Sequence, residues 1–413
     1  MLPYTRRQAL TLAGAAAVLS ACAAQERPRP APDSVPASGA APLPVRLFAE
    51  TAAGLVVADL ATGRVRATYP GAVAEARWAR LYQLDGGRLR TYQAGDGTLI
   101  EDVRTGGPGF TGGPRIKAVS GQLAAIGPPP GPRTRTPIVV TASGRRQRVL
   151  DLAGNIEPEA FSSDGTVMYV LDRLPPAAPD RYRVRMYDLA QGTMGALQTR
   201  DKRQIPPGQE EEMRGQGRLA VLDPIQNVLY TLYTHQDAHL HTRDLAAGHD
   251  LSPGVHAFVH VLNLDQRWAY CLDLPAPFGL GPPEAHTLAL GDGRLYVFDA
   301  STGRAVLAST EKLAIERSAL LGKLTGEAYA TAGSGGLYVA AGSRLLAADG
   351  ETLAPRAAWD LPGQARGLAF LGGELLAGAG EQVLRLDPGT GARLGAIALP
   401  GLRTLRHAEP ATG

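Results

Sequence analysis

From Val56 to Tyr69 the chain reads VVADLATGRVRATY. An apolar run, then Asp-x-x-x-Gly, then a second run is the pattern of two short strands joined by a tight turn. Asp or Asn near Gly supplies the left-handed backbone of that turn, and β-branched and apolar residues supply the strands. The same form returns as MYDLAQGTMGAL from Met186, YVFDASTGRAVLAS from Tyr296 and LRLDPGTGARLGAI from Leu384. Weaker copies are TYQAGDGTLIEDV from Thr91, VVTASGRRQRVLDL from Val139, VLNLDQRWAYCLDL from Val261 and LAADGETLAPRAAW from Leu346. A second turn precedes many of them: Asp85-Gly86-Gly87, Asp164-Gly165, Asp292-Gly293, Gly335-Gly336 and Gly372-Gly373. Two hairpins per unit, repeating at about 35 to 50 residues, predict an all-β fold, a β-propeller. Residues 45–408 hold eight such units in one domain, and the compressed unit near 285–320 makes seven blades the alternative. The first unit, Val45 to Tyr69, lacks its innermost strand, while the chain ends on a spare one at Gly401-Leu402-Arg403-Thr404-Leu405. That last strand is expected to complete the first blade and remove the open sheet edge; residues 409–413 are left as a tail.

Composition agrees. Of 413 residues, 44% are hydrophobic, and Gly (50) with Pro (32) make about a fifth of the chain without a three-residue period. Collagen and wholesale disorder are excluded. No apolar run of spanning length follows the first 25 residues. Capped amphipathic helical runs are nearly absent, which argues against a TIM barrel or a doubly wound sheet. The repeated hairpins resemble the YVTN and quinoprotein-like group of bacterial propellers, especially exported lipoprotein members. The resemblance covers the whole body, rests on structural turns, and implies architecture more than chemistry. Quinoproteins of this fold place a docking tryptophan three residues after the basic residue of each hairpin; here those positions are Ala67, Leu307 and Leu394 or Gly395. Pyrroloquinoline quinone is therefore not expected.

The N-terminus has a different grammar. Thr5-Arg6-Arg7 opens it, a small and apolar run continues to Val18, and Leu19-Ser20-Ala21-Cys22 follows. A charged start, a short apolar stretch and a small-residue cleavage site make an export signal over residues 1–21. The paired arginines resemble a twin-arginine signal, and the last four residues resemble a lipobox, whose cysteine becomes the lipidated first residue of the mature chain. Residues 22–44 then form a Pro-rich tether of up to about 70 Å. With Cys22 lipidated, Cys271 has no second cysteine and no disulfide is expected. Removal of residues 1–21 leaves 40 basic against 39 acidic residues. A near-neutral body has no general attraction for nucleic acid or an anionic membrane, so membrane attachment rests on the Cys22 lipid alone. The expected location is the extracytoplasmic face of a bacterial membrane.

Long insertions point to the site. In blades with strands A to D from the axis outward, B–C and D–A loops share one face. Insertions at 127–136, 172–183 and 235–256 fall between B and C strands, and those at 200–217 and 275–285 between D and A strands. All five map to one face and one sector, where a rigid scaffold carries binding loops. Asp172, Arg183, Glu212, Arg214 and His235 are the candidate binding residues, for a protein or small-molecule partner; their alternative role is to pin the loops by mutual ion pairs. Six of the eight histidines lie between 235 and 260, and His239-x-His241 puts two imidazoles on one strand face, a spacing used in some zinc sites. His260 reads as a satisfied strand residue. No cofactor is implied; a divalent metal fits His239 and His241, the loop carboxylates equally suit a cation, and the loop arginines suit a carboxylate or phosphate ligand. Gly-x-Ser-x-Gly, phosphate-loop and His-Glu-x-x-His motifs are all missing from the sequence. The reading is a lipid-anchored binding module. Its alternative is a metal-assisted hydrolase or lactonase with Glu157 and Glu159 near the axis as acids.

Overall fold

The computed structural model describes residues 45–106, 110, 113–143, 147–205, 208–214, 218–236 and 257–410. The repeated turn explains itself in atomic detail. Asp59 Oδ1 accepts hydrogen bonds from the N–H groups of Ala61 and Thr62, each at 3.0 Å. Gly63 N–H then donates to the Asp59 carbonyl at 2.8 Å, with Gly63 at φ +69°. The carboxylate thus caps a turn whose last residue must be left-handed, which is why Asp recurs four positions before Gly. Asp349 and Asp387 repeat the arrangement, with Leu353 taking the left-handed position in the first and Gly391 in the second.

Eight antiparallel sheets form the ring, so the eight-bladed reading stands and seven blades is excluded. Blade 4 consists of Asn155–Phe161, Val167–Leu174, Arg181–Asp188 and Thr193–Ala196 as strands A to D. Blade 5 consists of Arg218–Asp223, Val228–Thr234, Ala257–Asn263 and Trp268–Asp273. The short strand Gln198–Thr199 adds in parallel to its outer edge. The last strand, Leu402–Pro410, pairs antiparallel with Val45–Thr51 and becomes the inner strand of blade 1. Closure is as expected, but the strand runs further: Val45 pairs with Pro410, so residues 409 and 410 belong to the sheet and not to a tail. The hairpin from Tyr296 differs from the other copies, which join strands C and D of their blades. It joins strands B and C of blade 6, Arg294–Asp299 and Arg304–Ser309, because the Asp-capped turn serves any tight connection.

Core apolar side chains lie between blades, one cluster for each neighbouring pair around the ring. Blades 5 and 6 share Val259, Phe278, Leu288 and Val306; blades 8 and 1 share Leu47, Leu376, Val383 and Leu405. On the face of the A–B and C–D turns, Arg77 of blade 2 donates to the Pro224 carbonyl of blade 5 at 2.8 Å. These blades are three apart in a ring of eight, so the side chain reaches across the axial region on that face. No helix among the described residues is long and apolar enough to cross a membrane.

Candidate functional site

The opposite face carries the long connections, and they are joined to one another. Arg133 N–H in the blade 3 loop donates to the Pro176 carbonyl in the blade 4 loop at 3.1 Å. Asn155 Nδ2 donates to Gly131 O and Pro176 O, each at 3.1 Å. Tyr182 and Met213 exchange two backbone hydrogen bonds of 3.0 and 2.7 Å, which seats the 208–214 segment on blade 4. Arg214 N–H donates to Gln236 Oε1 at 3.0 Å, and His235 N–H to Gly279 O at 3.2 Å. A continuous rim therefore runs over blades 3 to 6.

Arg181, Arg183 and Arg185 alternate along strand C of blade 4 and share one of its faces. Arg183 donates to Asp172 Oδ2 from Nε at 3.0 Å and lies 2.9 Å from it through Nη2. It also pairs with Glu210. Arg185 lies 2.7 Å from Glu210 and 3.8 Å from Asp172. Arg181 donates to Glu212 at 2.5 Å and to Asp180 at 2.9 Å. All five sequence-selected residues thus sit on this rim, over blades 4 and 5. Asp172 and Arg183 are engaged with each other and Glu212 with Arg181, while the Arg214 side chain is exposed. His235 Nδ1 lies 2.9 Å from Thr234 Oγ1. His239, His241 and Cys22 lie outside the described residues.

The axial carboxylates of the hydrolase reading are differently placed. Glu157 is buried, 3.2 Å from Lys117 Nζ and 2.7 Å from Arg173 Nη2. Its two oxygens are thus engaged separately, Oε1 by Lys117 and Oε2 by Arg173. Glu159 is on the same strand, Asn155–Phe161, two residues further along.

Beneath the ion-pair ladder lies a cluster the sequence did not single out. His260 and Cys271 are directly opposed across strands C and D of blade 5, and Glu211 comes down from the D–A connection. All three are buried, and their ligating atoms lie within 4.8 Å of one another. Cys271 Sγ donates to Glu211 Oε1 at 2.9 Å. A cavity of about 10 Å³, room for about one water, is lined by Val184, Ala196, Leu197, Ile205, Met213, Glu210, Glu211 and His260. The His–Cys half was within reach: the Asn263-to-Arg267 turn fixes the hairpin register, which sets 260 against 271. Glu211, sixty positions before Cys271, offered no such signal.

No protein-family model matches the sequence, and no curated protein matches it either. Solved structures do. Apo AztD from Citrobacter koseri is 13% identical with a TM-score of 0.52, covering 89% of this chain and 98% of its own. A second Citrobacter koseri AztD structure is 12% identical with the same TM-score, covering 90% and 98%. BamB from Moraxella catarrhalis is 14% identical at a TM-score of 0.46, covering 81% and 88%. At such identities the AztD likeness establishes a β-propeller and nothing of its chemistry.

Proposed function

We propose that the protein is an extracytoplasmic β-propeller, held to a bacterial membrane by lipid on Cys22, that binds a partner or polar ligand through the rim over blades 4 and 5. One observation supports this above others. The long connections gather on one rim and are hydrogen-bonded to each other, while the turns of the opposite face stay short. Loops pinned in this way present fixed charges and lose little entropy on binding. Asp180, Glu212 and Arg214 are the exposed members that a partner would meet first. The export signal and lipobox support the location, and the Pro-rich tether supplies the reach.

Photocrosslinking in the living envelope tests the reading. A photoreactive residue at Glu212 or Arg214 is expected to give one discrete adduct. The same residue at Asp387, on a short turn of the opposite face, should give none. Identical adducts from both faces, or none from the rim, would overturn it.

A further inference from the structure

We propose that Glu211, His260 and Cys271 form a binding site for one thiophilic divalent cation, with Zn²⁺ the best-matched ion. The inference goes beyond the rim reading, since nothing in it depends on a partner. Thiolate, imidazole and carboxylate are a mixed S, N, O donor set that suits Zn²⁺ and excludes the hard cations Mg²⁺ and Ca²⁺, which take oxygen ligands. The scaffold is rigid at each donor. His260 and Cys271 are register partners on adjacent strands, and Glu211 lies two residues before Met213, whose backbone is bonded to Tyr182 in both directions. Tetrahedral zinc needs donor atoms about 3.3 to 3.6 Å apart, from bonds of about 2.0 to 2.3 Å. Donors already within 4.8 Å of one another close on an ion by side-chain rotation, and the 2.9 Å thiol–carboxylate contact opens slightly.

Charge and space agree with this. One thiolate and one carboxylate cancel a double positive charge, so a loaded site is neutral within its buried surroundings. The adjoining cavity holds about one water, which supplies the fourth ligand expected of a three-residue zinc site. Binding is simple in its balance: the Cys271 S–H bond breaks, its proton leaves to solvent, and sulfur bonds the metal with no change of oxidation state. The competing account is a cluster held only by its own hydrogen bonds, with the thiol donating to Glu211.

Cobalt titration of the full chain carrying Cys22→Ser separates the two, because Cys271 is then the sole thiol. One equivalent of Co²⁺ should produce a near-ultraviolet thiolate-to-cobalt charge-transfer band, which one equivalent of Zn²⁺ removes. The band should survive His239→Ala with His241→Ala, showing that it does not come from the loop histidines. It should vanish in Cys271→Ser. Glu211→Gln retains an acceptor for the thiol and hence the fold, yet loses the anionic ligand; Co²⁺ affinity should fall by about 10- to 100-fold with an unchanged metal-free melt. A parent protein without the band, a band that persists in Cys271→Ser, or unaltered affinity in Glu211→Gln would overturn the proposal.

Discussion

At the scale of single residues, the ring is specified by what a carboxylate and a glycine do within five positions. The backbone N–H groups of Thr352 and Glu351, aimed at Asp349, hold its carboxyl well below the usual carboxylate range. The same capping oxygen recurs at Asp59 and Asp387, so each turn is held by hydrogen bonds within four residues of one another. Where that turn meets a neighbour, the glycine is needed twice over. Gly391 has φ +71°, and a Cβ there would lie 2.4 Å from the Trp359 ring; Gly86 has φ +54° with open space around it. Gly86→Ala should cost about 1 kcal/mol for the left-handed backbone alone. Gly391→Ala should cost about 2 to 4 kcal/mol, because the indole must also move. Urea denaturation of both variants decides it, and equal losses would show that Trp359 gives way freely. His407 provides a pH test. Its ring stacks on Trp78 at 5.2 Å, and burial pushes its pKa from 6.5 down to about 4. The unfolded chain therefore takes up a proton that the native chain refuses. Stability from the neutral ring is complete above pH 6.5 and is lost as pH falls toward 4, a difference on the order of 3 kcal/mol. His407→Phe keeps the stack without the titration, so its melting temperature should decline less than the parent's across that window. Parallel declines would contradict the assignment.

Among the elements, the last strand matters most. Leu402–Pro410 is hydrogen-bonded to Val45–Thr51, and Leu402, Leu405 and Ala408 enter the cluster between blades 8 and 1. Deleting residues 401–413 should expose the edge of Val45–Thr51 and the wall of blade 8, giving aggregation on expression and loss of a cooperative melt. An unchanged melting temperature would mean that the ring closes without it. This closure was legible in the sequence because a unit missing one strand and a chain ending on a spare one are complementary facts about the same repeat. Turn positions were legible for a similar reason, since Asp and Gly act locally. The blade 6 hairpin marks the limit of that signal, because an Asp-capped turn does not say which strands it joins. The buried Glu211 cluster was hidden, since its carboxylate is delivered by a loop crossing between blades, and no local pattern encodes that meeting. His260, read from sequence as a satisfied strand residue, acquires its partners only through the strand register.

For the whole molecule, the two faces of the ring and the N-terminal segment divide the work. Short capped turns and the Arg77 bridge occupy one face, and the joined loops occupy the other. The body that carries them has nearly equal numbers of basic and acidic residues after removal of residues 1–21. Such a body has no electrostatic reason to stay on an anionic surface. On the proposed anchoring, membrane attachment would rest on one atom, the Cys22 sulfur, through acyl chains worth about 0.8 kcal/mol per buried methylene. Cys22→Ser should move the protein from the membrane to the soluble extracytoplasmic fraction while leaving the melting temperature of the propeller unaltered, since residues 22–44 precede its first strand. Fractionation of cells expressing the variant, with and without a high-salt wash, makes the measurement. Release before the wash supports the lipid anchor. Retention that salt removes would instead assign attachment to a charged partner at the rim, and retention through the wash would refute the lipobox reading.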